Sequence, residues 1–242
     1  MVSVILPTYN EKENIVDLIN GVFLYINRYV SEAAEVIVVD DDSPDGTAKL
    51  VKDCFSDSNK VRLIHRINEQ CLASAIWRGI QEARGGVVAW MDADFSMPPY
   101  KLVELINKVR AGDYDAAVGS RFISGAADVR GPADSWFTVI LSRLMNHFIA
   151  LLLGNDFKDY TSGFAAVKKS VFDKIKIRGD YGEYFIDLVY RLKKGGYKII
   201  ELPYYCLPRR RGYSKTGANL KEYLQKGWKY ILLALRLKFK GG

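Results

Sequence analysis

Three segments of the sequence gather carboxylates. Glu11 closes Pro7-Thr-Tyr-Asn-Glu11, Asp40, Asp41 and Asp42 open the run to Gly46, and Asp92 and Asp94 flank Ala93. Like charges brought together cost stability unless a cation or a donor-rich ligand answers them. In extended chain, residues two apart point the same way, so Asp92 and Asp94 would face one side. Such a pair suits a hard cation, Mg²⁺ or Mn²⁺, whose other positions accept phosphate oxygens. Taken singly, each segment also reads as a polar turn, and Ser43-Pro-Asp-Gly46 is a good helix cap. A second group is basic, in the run Arg209-Arg-Arg-Gly-Tyr-Ser-Lys215. Charge runs are usually solvated faces, but arginine forks match phosphate. This run is expected to be a mobile loop that closes over an anionic ligand. The two histidines, His65 and His147, belong to no Ser/His/Asp set, and His65 is expected to pack or to bond a loop.

The elements around these residues are legible from apolar spacing. Short apolar runs at Val2–Leu6, Val36–Val39, Val61–Ile64, Val87–Met91 and Ala116–Val118 read as buried strands. Stretches with helical spacing lie between them, at Glu13–Tyr29, Gly46–Phe55, Ala73–Ala83 and Leu102–Val109. This alternation predicts an α/β fold with a mostly parallel sheet flanked by helices. Ligands then sit at the carboxyl ends of the strands, where the acidic segments fall. The second half is less regular. Ser120–Trp136 reads as a long surface loop, Trp136–Leu153 and Tyr184–Lys193 as helices, and Phe164–Lys168 and Lys198–Leu202 as strands. From Asn219 onward a basic amphipathic helix is expected.

Bulk properties narrow the partners. The chain has 242 residues, 49% hydrophobic and 26% charged, as expected of a folded domain rather than a disordered tract. Its net charge of +7 points to an anionic partner: nucleic acid, a phosphorylated molecule or an anionic membrane face. Nucleic-acid binding would group basic and aromatic residues on one platform, whereas here the strand ends are acidic. Three scattered cysteines, Cys54, Cys71 and Cys206, support neither a zinc site nor a disulfide framework and suit a reducing compartment. The N-terminal apolar run reads as a strand, not a signal peptide, and no run reaches the roughly 18 apolar residues of a membrane span.

Six segments in order carry a resemblance. They are Pro7–Glu11, Val38–Thr47, Met91–Ser96, Gly119-Ser-Arg121, Thr161-Ser-Gly-Phe164 and Arg209–Lys215. In this order they resemble the dolichol-phosphate mannose synthases, inverting glycosyltransferases of family 2 with the GT-A fold, over about residues 2–217. The resemblance implies a GT-A catalytic domain over residues 1–217 with an acceptor-side extension. Residues 218–242 are expected to form a basic amphipathic helix, lying on a membrane surface or packed on the domain.

The resemblance also implies roles. Pro7, Tyr9, Glu11, Val39 and Asp41 would hold the base and ribose of a nucleotide-sugar. Asp92, Ala93 and Asp94 would sit at its diphosphate, with Asp94, Asp92 and Ser96 at a Mg²⁺ or Mn²⁺ ion. Arg121, Arg209 and Lys215 would line the phosphate and acceptor side, and Asp159 the sugar or acceptor pocket. The implied reaction is metal-assisted transfer of a hexose, mannose from GDP-mannose, to a polyprenyl or dolichyl phosphate. UDP-glucose and UDP-N-acetylglucosamine are the alternative donors. Cys71, Ala165 and Thr138 depart from the usual pattern, where many relatives carry Gly, a basic residue and Arg. The implied location is peripheral, on the cytoplasmic face of a membrane or beside a membrane partner subunit.

Overall fold

The apolar runs become strands. A computed structural model describes residues 1–130, 136–212 and 220–240, with side chains except at 136–139, 220–226 and 240. In the first half, β1 (Val2–Thr8), α1 (Ile15–Tyr29), β2 (Ala34–Asp40), α2 (Thr47–Phe55), β3 (Val61–His65), α3 (Leu72–Glu82), β4 (Val87–Trp90), α4 (Pro99–Arg110) and β5 (Ala116–Ser120) alternate as expected. The second half holds β6 (Ala127–Asp128), α5 (Trp136–Leu153), β7 (Ala165–Lys168), a 3-10 turn (Lys169–Asp173), α6 (Tyr184–Lys194), β8 (Ile199–Pro203), β9 (Tyr205–Cys206) and α7 (Leu220–Lys240).

Seven strands form one sheet in the order β3-β2-β1-β4-β7-β5-β8. All neighbours run parallel except β7, which is antiparallel to both β4 and β5. Alternate side chains of β1 serve different layers. Val4 and Leu6 pack with Leu18, Val22 and Leu105 of α1 and α4, while Ile5 packs with Ile76 and Ile80 of α3. Each such fully buried aliphatic side chain contributes about 1.5–3 kcal/mol. Helices α5, α6 and α7 join the α3 side through Ile149, Leu188, Ala234 and Leu237.

The expected surface loop after β5 contains a further element: β6 pairs with β9 as a two-stranded parallel ribbon. This ribbon ties the end of β5 to the chain entering the basic run. Gly119 permits the close packing beneath it, since a Cβ there would lie 2.6 Å from the Phe164 ring. No helix among the described residues is long and apolar enough to cross a membrane.

Candidate active site

Sheet order puts β2, β1 and β4 side by side, so the three acidic segments meet at one edge. The turns there are unusual. Asn10, Asp42 and Phe95 have φ of 56°, 55° and 67°, a region that non-glycine residues rarely occupy. For Phe95 the strain is offset by stacking: the Arg210 guanidinium lies 4.9 Å from its ring. That turn lets Asp94 Oδ1 accept the Ser96 amide at 2.9 Å and leaves Oδ2 for Arg209.

Asp94 Oδ2 lies 3.0 Å from the Arg209 guanidinium. The same guanidinium donates to Glu11 Oε1 at 2.7 Å. Arg209 thus spans the ends of β1 and β4. The chain around it is zipped down by main-chain bonds: Leu207 N donates to the Ser96 carbonyl at 2.9 Å and Arg210 N to the Asp94 carbonyl at 3.0 Å. Asn14 holds the Arg211 carbonyl at 3.1 Å. The described part of the basic run is therefore a strap across the acidic edge rather than a solvated loop. Lys215 lies outside the described residues.

Electrostatics follow from this packing. Burial, then the Asp94 charge, pushes the Asp92 carboxyl up to about 7, with Arg209 pulling the other way. Asp92 still reaches solvent on one side. Below it Tyr184 accepts the Trp90 indole N–H at 2.9 Å, and burial followed by the Asp92 charge holds the Tyr184 hydroxyl in its protonated form. Burial works against the Arg209 charge, but Asp94, Glu11 and Asp92 outweigh it and raise its pKa.

Arg121 is held differently. It makes a buried fork with Asp159, Nε to Oδ2 at 2.9 Å and Nη2 to Oδ1 at 2.8 Å, and also donates to Thr161 at 2.9 Å. Burial opposes its charge, yet Asp159 carries its pKa well above the usual value. Asp159 is inaccessible, so it positions Arg121 and cannot itself line a pocket. Its own loop is fixed by Glu201, whose two oxygens accept the amides of Lys158 at 2.7 Å and Asp159 at 2.9 Å.

The other expected residues divide. Asp41 is buried and engaged by Arg66 at 2.7 Å and the Cys71 amide at 2.9 Å. Asp40 accepts Thr8 and Ser43, so it builds the turn. His65 bonds Asp42 at 3.2 Å, as the loop reading expected. Val39 is fully buried in the core on the α3 side, which leaves only its main chain for a ligand. Pro7 and Tyr9 are partly open beside the buried Glu11, and Ala93 and Ser96 are buried between the strand end and the strap. Arg66 and Glu201 were not singled out in the sequence. Arg66 had a faint signal, a base directly after an apolar run opposite the Asp-rich one.

With this geometry in hand, residues 3–176 match the sequence profile described as Glycosyl transferase family 2. The chain belongs to that family. It is 36% identical over 230 residues to a dolichol-phosphate mannosyltransferase of Pyrococcus furiosus, covering 93% of this chain but 62% of that protein. It is 34% identical over 231 residues to a polyprenol monophosphomannose synthase of Mycolicibacterium smegmatis, covering 92% and 84%. The chain therefore spans less than two thirds of the Pyrococcus relative. Among solved structures it resembles glucosyl-3-phosphoglycerate synthase from Mycobacterium tuberculosis with Mn²⁺, UDP and phosphoglyceric acid. The TM-score is 0.69 at 17% identity, covering 98% of this chain and 78% of the other. The same enzyme with Mg²⁺ and UDP gives 0.68 at 18% identity, covering 98% and 79%. The α/β architecture is that of the GT-A glycosyltransferases, with a mostly parallel sheet flanked by helices.

Proposed function

We propose that this chain transfers mannose, with inversion, from GDP-mannose to a polyprenyl or dolichyl phosphate, assisted by Mg²⁺ or Mn²⁺. The observation that carries the reading is the Glu11–Arg209–Asp94 bridge across two strand ends. It brings carboxylates and a strap-borne arginine to the edge where a GT-A sheet opens, in a chain whose relatives bear mannosyltransferase names. Asp94 and Asp92 would hold the ion, with Ser96 shaping the turn beneath them. Both are hard oxygen donors, and a cation would offset the burial and then the Asp94 charge that push the Asp92 carboxyl up to about 7, while no cluster of three or more His, Cys, Asp or Glu stands ready for an ion among the described residues. When bound, the ion supplies positive charge to the diphosphate leaving group.

The chain's own residues do the rest. Pro7, Tyr9, Glu11 and Asp41 border the end where base and ribose would sit, with Val39 offering main chain alone. Arg209 exchanges Asp94 for the donor diphosphate while Glu11 keeps it aimed. Lys215, which lies outside the described residues, would supply a further positive charge to the phosphates. Arg121, fixed by Asp159, presents positive charge on the acceptor side. A phosphate monoester is already anionic near neutral pH, so attack on the anomeric carbon needs no strong general base. The new bond joins phosphate oxygen to that carbon, and the nucleoside diphosphate leaves with the electron pair.

Residues 1–217 form the catalytic domain in this reading, and 218–242 lie at a membrane surface on the cytoplasmic side or against a membrane partner. Exposed Trp228, Leu232 and Phe239 beside Lys229, Arg236 and Lys238 support the surface role. The test is a donor-by-acceptor assay. Purified protein with Mn²⁺ or Mg²⁺ receives GDP-mannose, UDP-glucose or UDP-N-acetylglucosamine with a polyprenyl phosphate, and glycolipid product is followed. Metal-dependent product from GDP-mannose alone is expected. Product from a uridine donor instead would overturn the mannose assignment.

A further inference from the structure

A cavity of about 510 Å³ lies between α5 and the chain after β5, lined by Arg121, Arg143, Asn146, His147 and Lys158 among others. Among the described residues no carboxylate lines it. Nor, among the described residues, does any residue of the Glu11–Arg209–Asp94 bridge; of the residues expected at the site, Arg121 alone lines it there. Its basic groups are not equally committed. Arg121 is taken up by Asp159 and Thr161. Lys158 Nζ donates to the Asn155 carbonyl at 2.6 Å and its side-chain oxygen at 2.9 Å, both neutral. Arg143 is exposed and lies 5.9 Å from the Phe122 ring, with no carboxylate partner among the described residues.

The outer face of α5 is apolar. Ile140, Leu144, Phe148 and Leu151 are 46%, 61%, 41% and 61% exposed. At about 3.6 residues per turn these four fall on one stripe. Arg143 and His147 lie one turn apart along the edge of that stripe, between it and the cavity-lining Asn146 and Ala150. Moving around the helix, the order is buried core, polar cavity, basic pair, exposed apolar stripe. That sequence of surfaces matches an amphiphile with an anionic head and apolar chains.

We propose that this cavity binds the headgroup phosphate of an anionic membrane phospholipid, with its acyl chains lying along the α5 stripe. The site docks the enzyme on bulk lipid and is distinct from the acceptor position. This inference rests on the membrane-surface part of the proposed function, but not on the identity of the sugar.

The experiment uses short-chain phosphatidylglycerol as monomers, titrated into the purified chain by calorimetry, together with co-sedimentation on phosphatidylcholine vesicles with and without phosphatidylglycerol. Saturable one-site binding of the short-chain lipid is expected. Arg143→Ala/His147→Ala should weaken it at least about tenfold, as loss of a guanidinium and an imidazole facing an anionic headgroup implies. Arg236→Ala/Lys238→Ala on α7 should leave it intact. Leu144→Ser should reduce vesicle binding while leaving soluble glycerol phosphate, a head without chains, equally weak on both proteins. In detergent without phospholipid, the Arg143/His147 variant should keep the wild-type KM for polyprenyl phosphate. Unchanged lipid binding in that variant would overturn the proposal. So would a raised KM for polyprenyl phosphate with vesicle binding intact, which would give the cavity to the acceptor itself. A lipid-free dimer dissolved by Leu144→Ser would equally overturn it. Lipid binding that persists in a protein with no transferase activity would sink the sugar-transfer reading and leave this one standing.

Discussion

The two arginines that border the site are held in opposite ways. Arg121 is buried, forked onto a fully buried Asp159, and its partner's loop is fixed in turn by Glu201. Arg209 is partly exposed and shared between Glu11 and Asp94, with a further carboxylate, Asp92, forced partly toward its neutral form nearby. One charge is settled within the fold. The other sits among more negative charge than it can neutralise. In the proposed function the difference separates positioning from binding: the settled pair fixes geometry, and the unsettled cluster would take cationic and phosphate ligands.

The largest expected effect breaks the settled pair. Asp159→Ala leaves Arg121 buried without its partner and should cost about 3–5 kcal/mol in urea unfolding. Replacing both, Arg121→Met with Asp159→Leu, should recover most of that loss while activity stays absent. Recovery of activity with stability would show that Arg121 does not serve the reaction.

The next effect falls on the unsettled side. Asp94→Ala should lower turnover at least about a hundredfold with little change in stability, because it removes a group whose charge is already in excess. A folded Asp94→Ala protein with full activity would contradict the metal assignment.

The third prediction uses pH. The Asp92 carboxyl is raised from the usual value near 4 to about 7 in the fold, so between those values the native state holds the extra proton. Its contribution to stability is therefore lost as pH rises through this window. Asp92→Asn should be neutral near pH 4 and stabilising by about 2 kcal/mol at pH 8, a figure reduced from about 1.4 kcal/mol per unit because Asp92 reaches solvent on one side. Equal effects at both pH values would refute the assignment. The smallest expected effect is Arg210→Ala, which removes a half-exposed contact to Asp17 and the stack on Phe95. It should change stability by less than about 1 kcal/mol.

The donor half of this picture was legible in the sequence and the acceptor half much less so. Continuous apolar runs such as Val36–Val39, short and β-branched, favour strands buried on both faces and mark their own ends, so Asp92 and Asp94 could be placed by counting. Strand direction leaves no such mark. Phe164–Lys168 reads as a strand, but nothing local says that it runs against β4 and β5. The two-residue strands β6 and β9 are too short to show any period. The Arg121–Asp159 fork joins residues 38 positions apart, and Arg66 meets Asp41 across 25, so neither is visible in local spacing. Glycine and serine in the basic run predict a mobile loop. Its order comes from main-chain bonds to Asp94 and Ser96, which composition does not encode.

The central claim is that the acidic strand ends and Arg209 together clasp a metal-bound nucleoside diphosphate. Calorimetric titration of GDP into the wild-type chain and Asp94→Ala, each with Mn²⁺ and with EDTA, tests it most directly. The account predicts GDP binding to the wild type that needs Mn²⁺ and is lost in Asp94→Ala. Equal GDP affinity in EDTA, or in the variant with Mn²⁺, would contradict it.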